Sequence, residues 1–259
     1  MVKLILGKEI VEKEIYPKLR RKIGIKNPFL VIFYNPKDEL GTKYIQIKKA
    51  AAKKTGIRVK LEPYHNFKDD LAKVHQFNQD KKVTGILLQL PLPKGYSPEL
   101  IYTLNPFKDV DGLSSKFFIA PVVKAVERAL HEIPNWQEKS ILVAGQGEFV
   151  GKKIYTFLKR TVPNIQAVDN EEALDALLPK FDIVVSCVGK ANLINKHNFK
   201  GKMAIDVGTM VEKGKIKGDI SPDLIKKLDY LAPVPGGIGP MTIGYLAENI
   251  WEAKEKFQN

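Results

Sequence analysis

Apolar runs of strand length and amphipathic helical stretches alternate along the whole chain, which predicts an α/β protein with largely parallel sheets. Phe29-Leu30-Val31-Ile32-Phe33-Tyr34 is the first such run. A helical pattern over 43–55 is stopped by Gly56, and Ile57-Arg58-Val59-Lys60-Leu61 then alternates with the period of a strand. Leu71, Val74 and Phe77 mark one face of a helix, and 85–90 reads as a third strand. Ser97-Pro98-Glu99 opens another helix, with serine at the cap and proline at the first helical position. A second series starts near Ser140, where Ile141-Leu142-Val143-Ala144 runs into a glycine-rich turn and a helix over 152–159. Further strands are predicted at 165–168, 183–188 and 203–207. Two more helical patterns, 121–131 and 241–257, are placed to bridge two lobes and leave a cleft between them.

Composition changes this picture little. The chain has 259 residues, 44% hydrophobic and 27% charged, enough for two small domains with real cores. Cys187 is the lone cysteine, so an intrachain disulfide and a multi-cysteine zinc site are excluded. No apolar run approaches bilayer length, and Glu9, Glu12 and Glu14 among the first lysines do not form a signal-peptide pattern, so a cytoplasmic protein without a membrane partner is expected. The net charge of +13 is unusual. The lysines are scattered, as in Lys48-Lys49 and Lys53-Lys54, with no arginine-rich tract and no interleaved aromatics. That distribution argues against nucleic acid and for a polyanionic small substrate.

Several segments carry candidate chemistry. Gly145-Gln146-Gly147 follows a strand and opens a helix, where the first glycine permits a tight turn and the next lets a pyrophosphate approach the backbone. The spacing to Gly151 is one residue longer than the usual dinucleotide fingerprint. Asp169 ends the following strand, where a carboxylate either accepts from the adenosine ribose and repels a 2′-phosphate or serves as a helix cap. The first role favours NAD over NADP. Tyr44 and Lys48 are spaced i, i+4 and share a helix face. They are either a solvated surface pair or a desolvated lysine with a lowered pKa, fit for acid/base work. Gln89 interrupts an apolar strand, which a strand-end amide facing a cleft tolerates. In Lys108-Asp109-Val110-Asp111-Gly112 an extended backbone would point both carboxylates to one side, one of them structural and the other able to take paired donors from an aminopyrimidine. The run Pro233 to Thr242 holds three prolines and three glycines in ten residues, either a stiff, shaped loop before a helix or a plain turn. The four histidines are isolated and no cluster has metal-ligand spacing, so no catalytic metal is expected.

Tyr44-x-x-x-Lys48, the segment from Gly85 to Pro93, Lys108 to Gly112, Ala204-Ile205-Asp206-Val207-Gly208 and the Pro233–Thr242 loop resemble, in order and spacing, the methylenetetrahydrofolate dehydrogenase/cyclohydrolase family. The resemblance implies a homodimer of two-lobed chains. A folate-binding catalytic domain would span 1–120, with the helix 241–259 packing back on it, and a Rossmann NAD(P)-binding domain 121–240. The implied activity is oxidation of 5,10-methylenetetrahydrofolate to the 5,10-methenyl form, then hydrolysis to 10-formyltetrahydrofolate. Lys48 would be the cyclohydrolase acid/base, Tyr44 and Gln89 would position it and contact folate, and Asp111 would grip the pterin. Leu90, Pro91, Pro235, Gly236, Gly237 and Pro240 would line the substrate. Gly145, Gln146, Gly147, Val150, Gly151, Asp169, Val188, Gly189 and Thr209 would line the dinucleotide. Folate tails of one or several glutamates would use the lysine surplus.

The chain also departs from that family. Gly41 stands where a serine is usual, 118–123 replaces a Pro-Cys-Thr-Pro-x-Gly segment, Ala232 replaces a threonine, and Gln146-Gly147 lacks a phosphate-binding arginine. The alternatives are a member that keeps one activity, or a noncatalytic basic binding protein on a Rossmann scaffold. A short-chain dehydrogenase is ruled out, since its Tyr-x-x-x-Lys follows the cofactor turn rather than preceding it.

Overall fold

A computed structural model describes residues 1–24, 27–114, 117–212 and 214–258. In chain order the strands are β1 (Lys3–Leu4), β2 (Phe29–Tyr34), β3 (Arg58–Pro63), β4 (Gly85–Leu88), β5 (Ile141–Ala144), β6 (Ile165–Val168), β7 (Ile183–Ser186), β8 (Met203–Asp206), β9 (Met210–Glu212), β10 (Lys215–Lys217) and β11 (Tyr230–Ala232). The chain forms two compact units, Glu12–Pro121 with Ile243–Asn259, and Met1–Val11 with Val122–Thr242. Asn259, the end of the expected closing helix, lies outside the described residues.

The lysine-bearing unit holds a parallel sheet in the order β3-β2-β4. β2 is central and buried from Leu30 to Phe33, which explains its unbroken apolar run, whereas β3 lies at the edge and alternates. Leu30 pairs with Gly85 and Phe33 with Leu88, so Gln89 falls one residue past the end of β4 rather than inside it. The helix Glu39–Lys54 begins four residues before the predicted position and is capped by Thr55, followed by Gly56 with φ +70°. Asn66 caps the helix Phe67–Gln79 through the Asp69 amide, and that helix buries Val74 and Phe77.

The second unit is built on a parallel sheet of order β1-β11-β8-β7-β5-β6. β5 and β7 are wholly buried, as expected of strands covered on both faces. The order reverses between β6-β5 and β7-β8, so the loops after β5 and β7 flank the topological switch point, where such sheets bind ligands. The first residues join this sheet: Lys3 pairs with Tyr230 and Leu4 with Leu231. By packing, residues 1–11 therefore group with the second sheet, whereas the expected first domain begins at residue 1. The final helix runs Ile238–Phe257, starting three residues earlier than expected, with Pro240 in its first turn, where the missing amide is harmless.

Candidate active site

Within the lysine-bearing unit the register of β2 and β4 brings Gln89 beside Lys48. Lys48 Nζ donates to Gln89 Oε1 at 2.7 Å. Gln89 is held at two further atoms: its backbone N–H donates to Phe33 O at 2.9 Å and its Nε2 to Leu90 O at 3.0 Å. The amide oxygen is thereby fixed toward the amine. Lys48 is half-buried. Burial pushes its pKa below the ordinary lysine value, and the negative charge of Asp111 pulls it partly back up. Of the two possibilities left by the i, i+4 spacing, the half-buried position and the downward shift fit the desolvated lysine. Tyr44 lies half-buried one turn earlier on the same helix. Leu90 and Pro91 follow Gln89 through a cis peptide, with Leu90 half-buried and Pro91 exposed.

The two aspartates of the Lys108–Gly112 segment divide their tasks, but not through an extended backbone as expected. The segment is a turn, with the Gly112 amide donating to Asp109 O at 3.0 Å. Asp109 is fully buried and accepts from the amides of Leu113 (3.0 Å) and Ser114 (2.8 Å). Asp111 is half-buried and supplies the charge felt at Lys48. Lys108 donates to Phe77 O and Asp80 O, at the C-terminus of the helix Phe67–Gln79, where a cation is favoured. Gly112 has φ +61°, and a Cβ there would lie 2.8 Å from Phe118 O, so only glycine fits. Asn249 of the final helix, fully buried, donates to Val110 O at 2.9 Å and to Ile119 O at 3.0 Å. It ties the turn to the segment where the chain departs from its resembling family. Sequence reasoning missed Asn249, although an asparagine between Leu246, Ala247, Ile250 and Trp251 was a visible signal.

In the second unit the dinucleotide candidates gather at the carboxyl ends of β5 to β8. Gly145 has φ +85°, and a Cβ there would lie 2.8 Å from the Cys187 carbonyl, so the turn after β5 packs backbone to backbone on the end of β7. A Cβ on Gly151 would collide with Gly145 O. Around Gly147 nothing lies within 4 Å of where a Cβ would stand, which leaves room for another molecule to approach the backbone. Asp169 is exposed and its Oδ1 accepts from the Gln146 amide at 2.8 Å, which ties it to this turn. Val150 is half-buried immediately before the helix Gly151–Leu158. Gly189 lies near the Thr209 carbonyl, with 3.6 Å from its would-be Cβ. These features fit a dinucleotide: close backbone approach at Gly147, a helix start behind it, and a carboxylate at the next strand end. Pro235, Gly236, Gly237 and Pro240 follow β11 in this same unit, and Gly236 O accepts from the Gly7 amide at 2.9 Å.

Behind that site lie two buried carboxylates that sequence reasoning left without a role. Asp206, at the end of β8, is 2% exposed and accepts from the amides of Asp219 and Ile220, each at 3.1 Å. Burial raises its pKa to about 7, against the pull of those amides. A Cβ at Gly208 would collide with the Asp219 carboxylate, and one at Gly218 with that of Asp206. The pairing of Asp206-x-Gly208 with Gly218-Asp219 was the signal available in the sequence.

The fold and the two residue sets define a class: an α/β protein that joins a unit bearing a desolvated lysine to a Rossmann-type dinucleotide-binding unit. The pattern of the tetrahydrofolate dehydrogenase/cyclohydrolase catalytic domain matches residues 5–111, and that of the family's NAD(P)-binding domain matches residues 121–258. The chain is 31% identical over 273 aligned positions to the bifunctional protein FolD of Staphylococcus epidermidis, covering 96% of this chain and 95% of that protein. It is 33% identical to the bifunctional protein FolD of Thermodesulfovibrio yellowstonii, over 95% of this chain and 92% of the other. The crystal structure of bifunctional 5,10-methylenetetrahydrofolate dehydrogenase/cyclohydrolase from Thermoplasma acidophilum superposes with a TM-score of 0.88 at 28% identity, covering 99% of each chain. The chain belongs to the tetrahydrofolate dehydrogenase/cyclohydrolase family, as an enzyme of folate one-carbon metabolism with dehydrogenase and cyclohydrolase function.

Proposed function

We propose that the hydrolytic step rests on Lys48, that the oxidative step rests on the placement of folate and dinucleotide, and that the dinucleotide is NAD in preference to NADP. The substrate is 5,10-methylenetetrahydrofolate, and NAD(P) when bound supplies the hydride acceptor. No protein base is needed for that transfer, so the chain's task is to hold folate in a near-attack pose. The Asp111 carboxylate accepts paired N–H donors from the aminopyrimidine of the pterin. Opening the 5,10-methenyl cation to 10-formyltetrahydrofolate consumes one water and releases one proton. Neutral Lys48 takes the proton of the attacking water at Nζ while Gln89 Oε1 keeps that nitrogen in place. The half-buried amine, 2.7 Å from Gln89 Oε1 and under the field of Asp111, is the observation that carries this reading.

The preference for NAD is supported by Asp169, whose carboxylate has acceptor capacity beyond its bond to Gln146 and would repel a 2′-phosphate. We further propose a cytoplasmic homodimer whose folate-binding domain centres on residues 12–121, acting on folates with one or several glutamates. The test follows reduced nicotinamide in mixtures of enzyme, methylenetetrahydrofolate and either NAD or NADP, with methenyl decay measured separately. NAD turnover that exceeds NADP turnover is expected. NADP turnover that exceeds NAD turnover overturns the preference, and silence with both dinucleotides overturns the oxidative assignment.

A further inference from the structure

The loop that follows β7 is held by a single buried carboxylate, Asp219, which is 0% exposed. Asp219 Oδ2 accepts from Ser186 Oγ at 2.6 Å, from the Val188 amide at 2.9 Å and from the Gly189 amide at 3.2 Å. Its Oδ1 accepts from the Lys190 amide at 2.8 Å. Three consecutive amides therefore point inward to one charge, and Gly189 takes φ +78° to allow it. Asp219 is itself fixed from behind, because its own amide donates to Asp206 Oδ1.

This geometry changes what the loop can offer a dinucleotide. The amides of Val188 and Gly189 face Asp219, so contact falls to carbonyl oxygens, to close approach over Gly189, and to the Val188 side chain, which is 38% exposed. The same arrangement neutralises a charge that would otherwise lie bare behind a polyanionic ligand: three amides and a hydroxyl surround it. Across the switch point the Gly145 turn rests on the Cys187 carbonyl, one residue before the loop, so the backbone fixed by Asp219 also sets the floor of the glycine turn.

We infer that Asp219 is a positioning residue for the dinucleotide, acting by gathering the amides of residues 188–190 and so fixing the loop beside the glycine turn. This rests on the reading that residues 145–151 and 188–189 receive NAD(P). In Asp219→Asn the amide NH2 faces donors, and at least one arm of the network is lost. The full-length variant is expected to raise the dissociation constant and KM for NAD about tenfold or more, the scale of losing charge-assisted hydrogen bonds. Hydrolysis of methenyltetrahydrofolate supplied directly, without dinucleotide, should stay within about twofold of the parent. Hydrogen exchange of the 188–190 amides in the dinucleotide-free protein should accelerate. A folded Asp219→Asn protein with unchanged KM and unchanged exchange overturns the inference, as does an equal fall in oxidation and hydrolysis. If Asp219→Asn does not fold, Ser186→Ala decides. That variant removes one contact and should raise KM for NAD by about threefold, the size of a single net hydrogen bond, and no change overturns the proposal. Failure of the functional reading is separable, because the unsubstituted enzyme would then reduce no nicotinamide.

Discussion

Lys48 sets stability against chemistry on one nitrogen. Its folded pKa lies below the unfolded value of 10.5, so between those two values the unfolded chain binds more protons and stability rises with pH. Below the folded value the partly desolvated charge is a constant penalty. Lys48→Met should therefore raise the unfolding midpoint in urea at pH 7 while reducing hydrolysis by about a hundredfold or more, the usual weight of general acid/base catalysis. Oxidation of methylenetetrahydrofolate should remain measurable in the same protein; equal loss of both activities would refute the role of the amine. The pH profile gives an independent check. Hydrolysis at saturating substrate should rise with pH along a limb below that of an ordinary lysine. Asp111→Asn should move the limb lower still, because the carboxylate is what raises that pKa. The sequence displayed Lys48, Gln89 and Asp111 as separate oddities. That Lys48 meets Gln89, 41 residues away, depends on the β2–β4 register, and the split between Asp109 and Asp111 depends on a turn that period-two counting does not describe.

Among the elements, the closing helix does more for the lysine-bearing unit than cover apolar surface. Trp251 Nε1 donates to Thr55 O at 2.9 Å, and Asn249 holds Val110 O and Ile119 O. Asn249→Ala leaves the buried Val110 carbonyl and the part-buried Ile119 carbonyl without this partner and should destabilise the protein by about 1–3 kcal/mol, read from urea unfolding. Pterin binding should weaken as well, since Asp111 follows the tethered Val110. In the other unit, β8 carries the pH response. Asp206 moves from an ordinary 3.8 to about 7, so the folded state retains a proton that the unfolded chain has lost. Stability should fall as pH rises from about 4 to about 7, and Asp206→Asn should flatten that part of the curve in thermal melts. Strands with unbroken apolar runs were legible in advance because burial on both faces leaves such runs. The two-residue β1, the three-residue β11 and the β9–β10 hairpin were not, since elements so short display no period.

For the molecule as a whole, the surplus of positive charge bears on substrate choice. With +13 formal charges on 259 residues, a folate with several glutamates should show a lower KM than the monoglutamate, and the gap should close as salt shortens the Debye length to a few ångström. A gap that ignores salt would remove the electrostatic explanation. The alternation of strands and helices was enough to read two α/β lobes, while their exact membership was not, because a strand of two residues near the start joins a sheet assembled from the far end. Lys3 and Leu4 wait for Tyr230 and Leu231, and residues 12–121 wait for the stretch after 243. Each half thus encloses the beginning or end of the other along the polypeptide. A ribosome emitting this chain cannot finish either half before nearly all of it has emerged, so a chain cut after residue 121 should yield two fragments that aggregate alone and recover activity only when co-expressed.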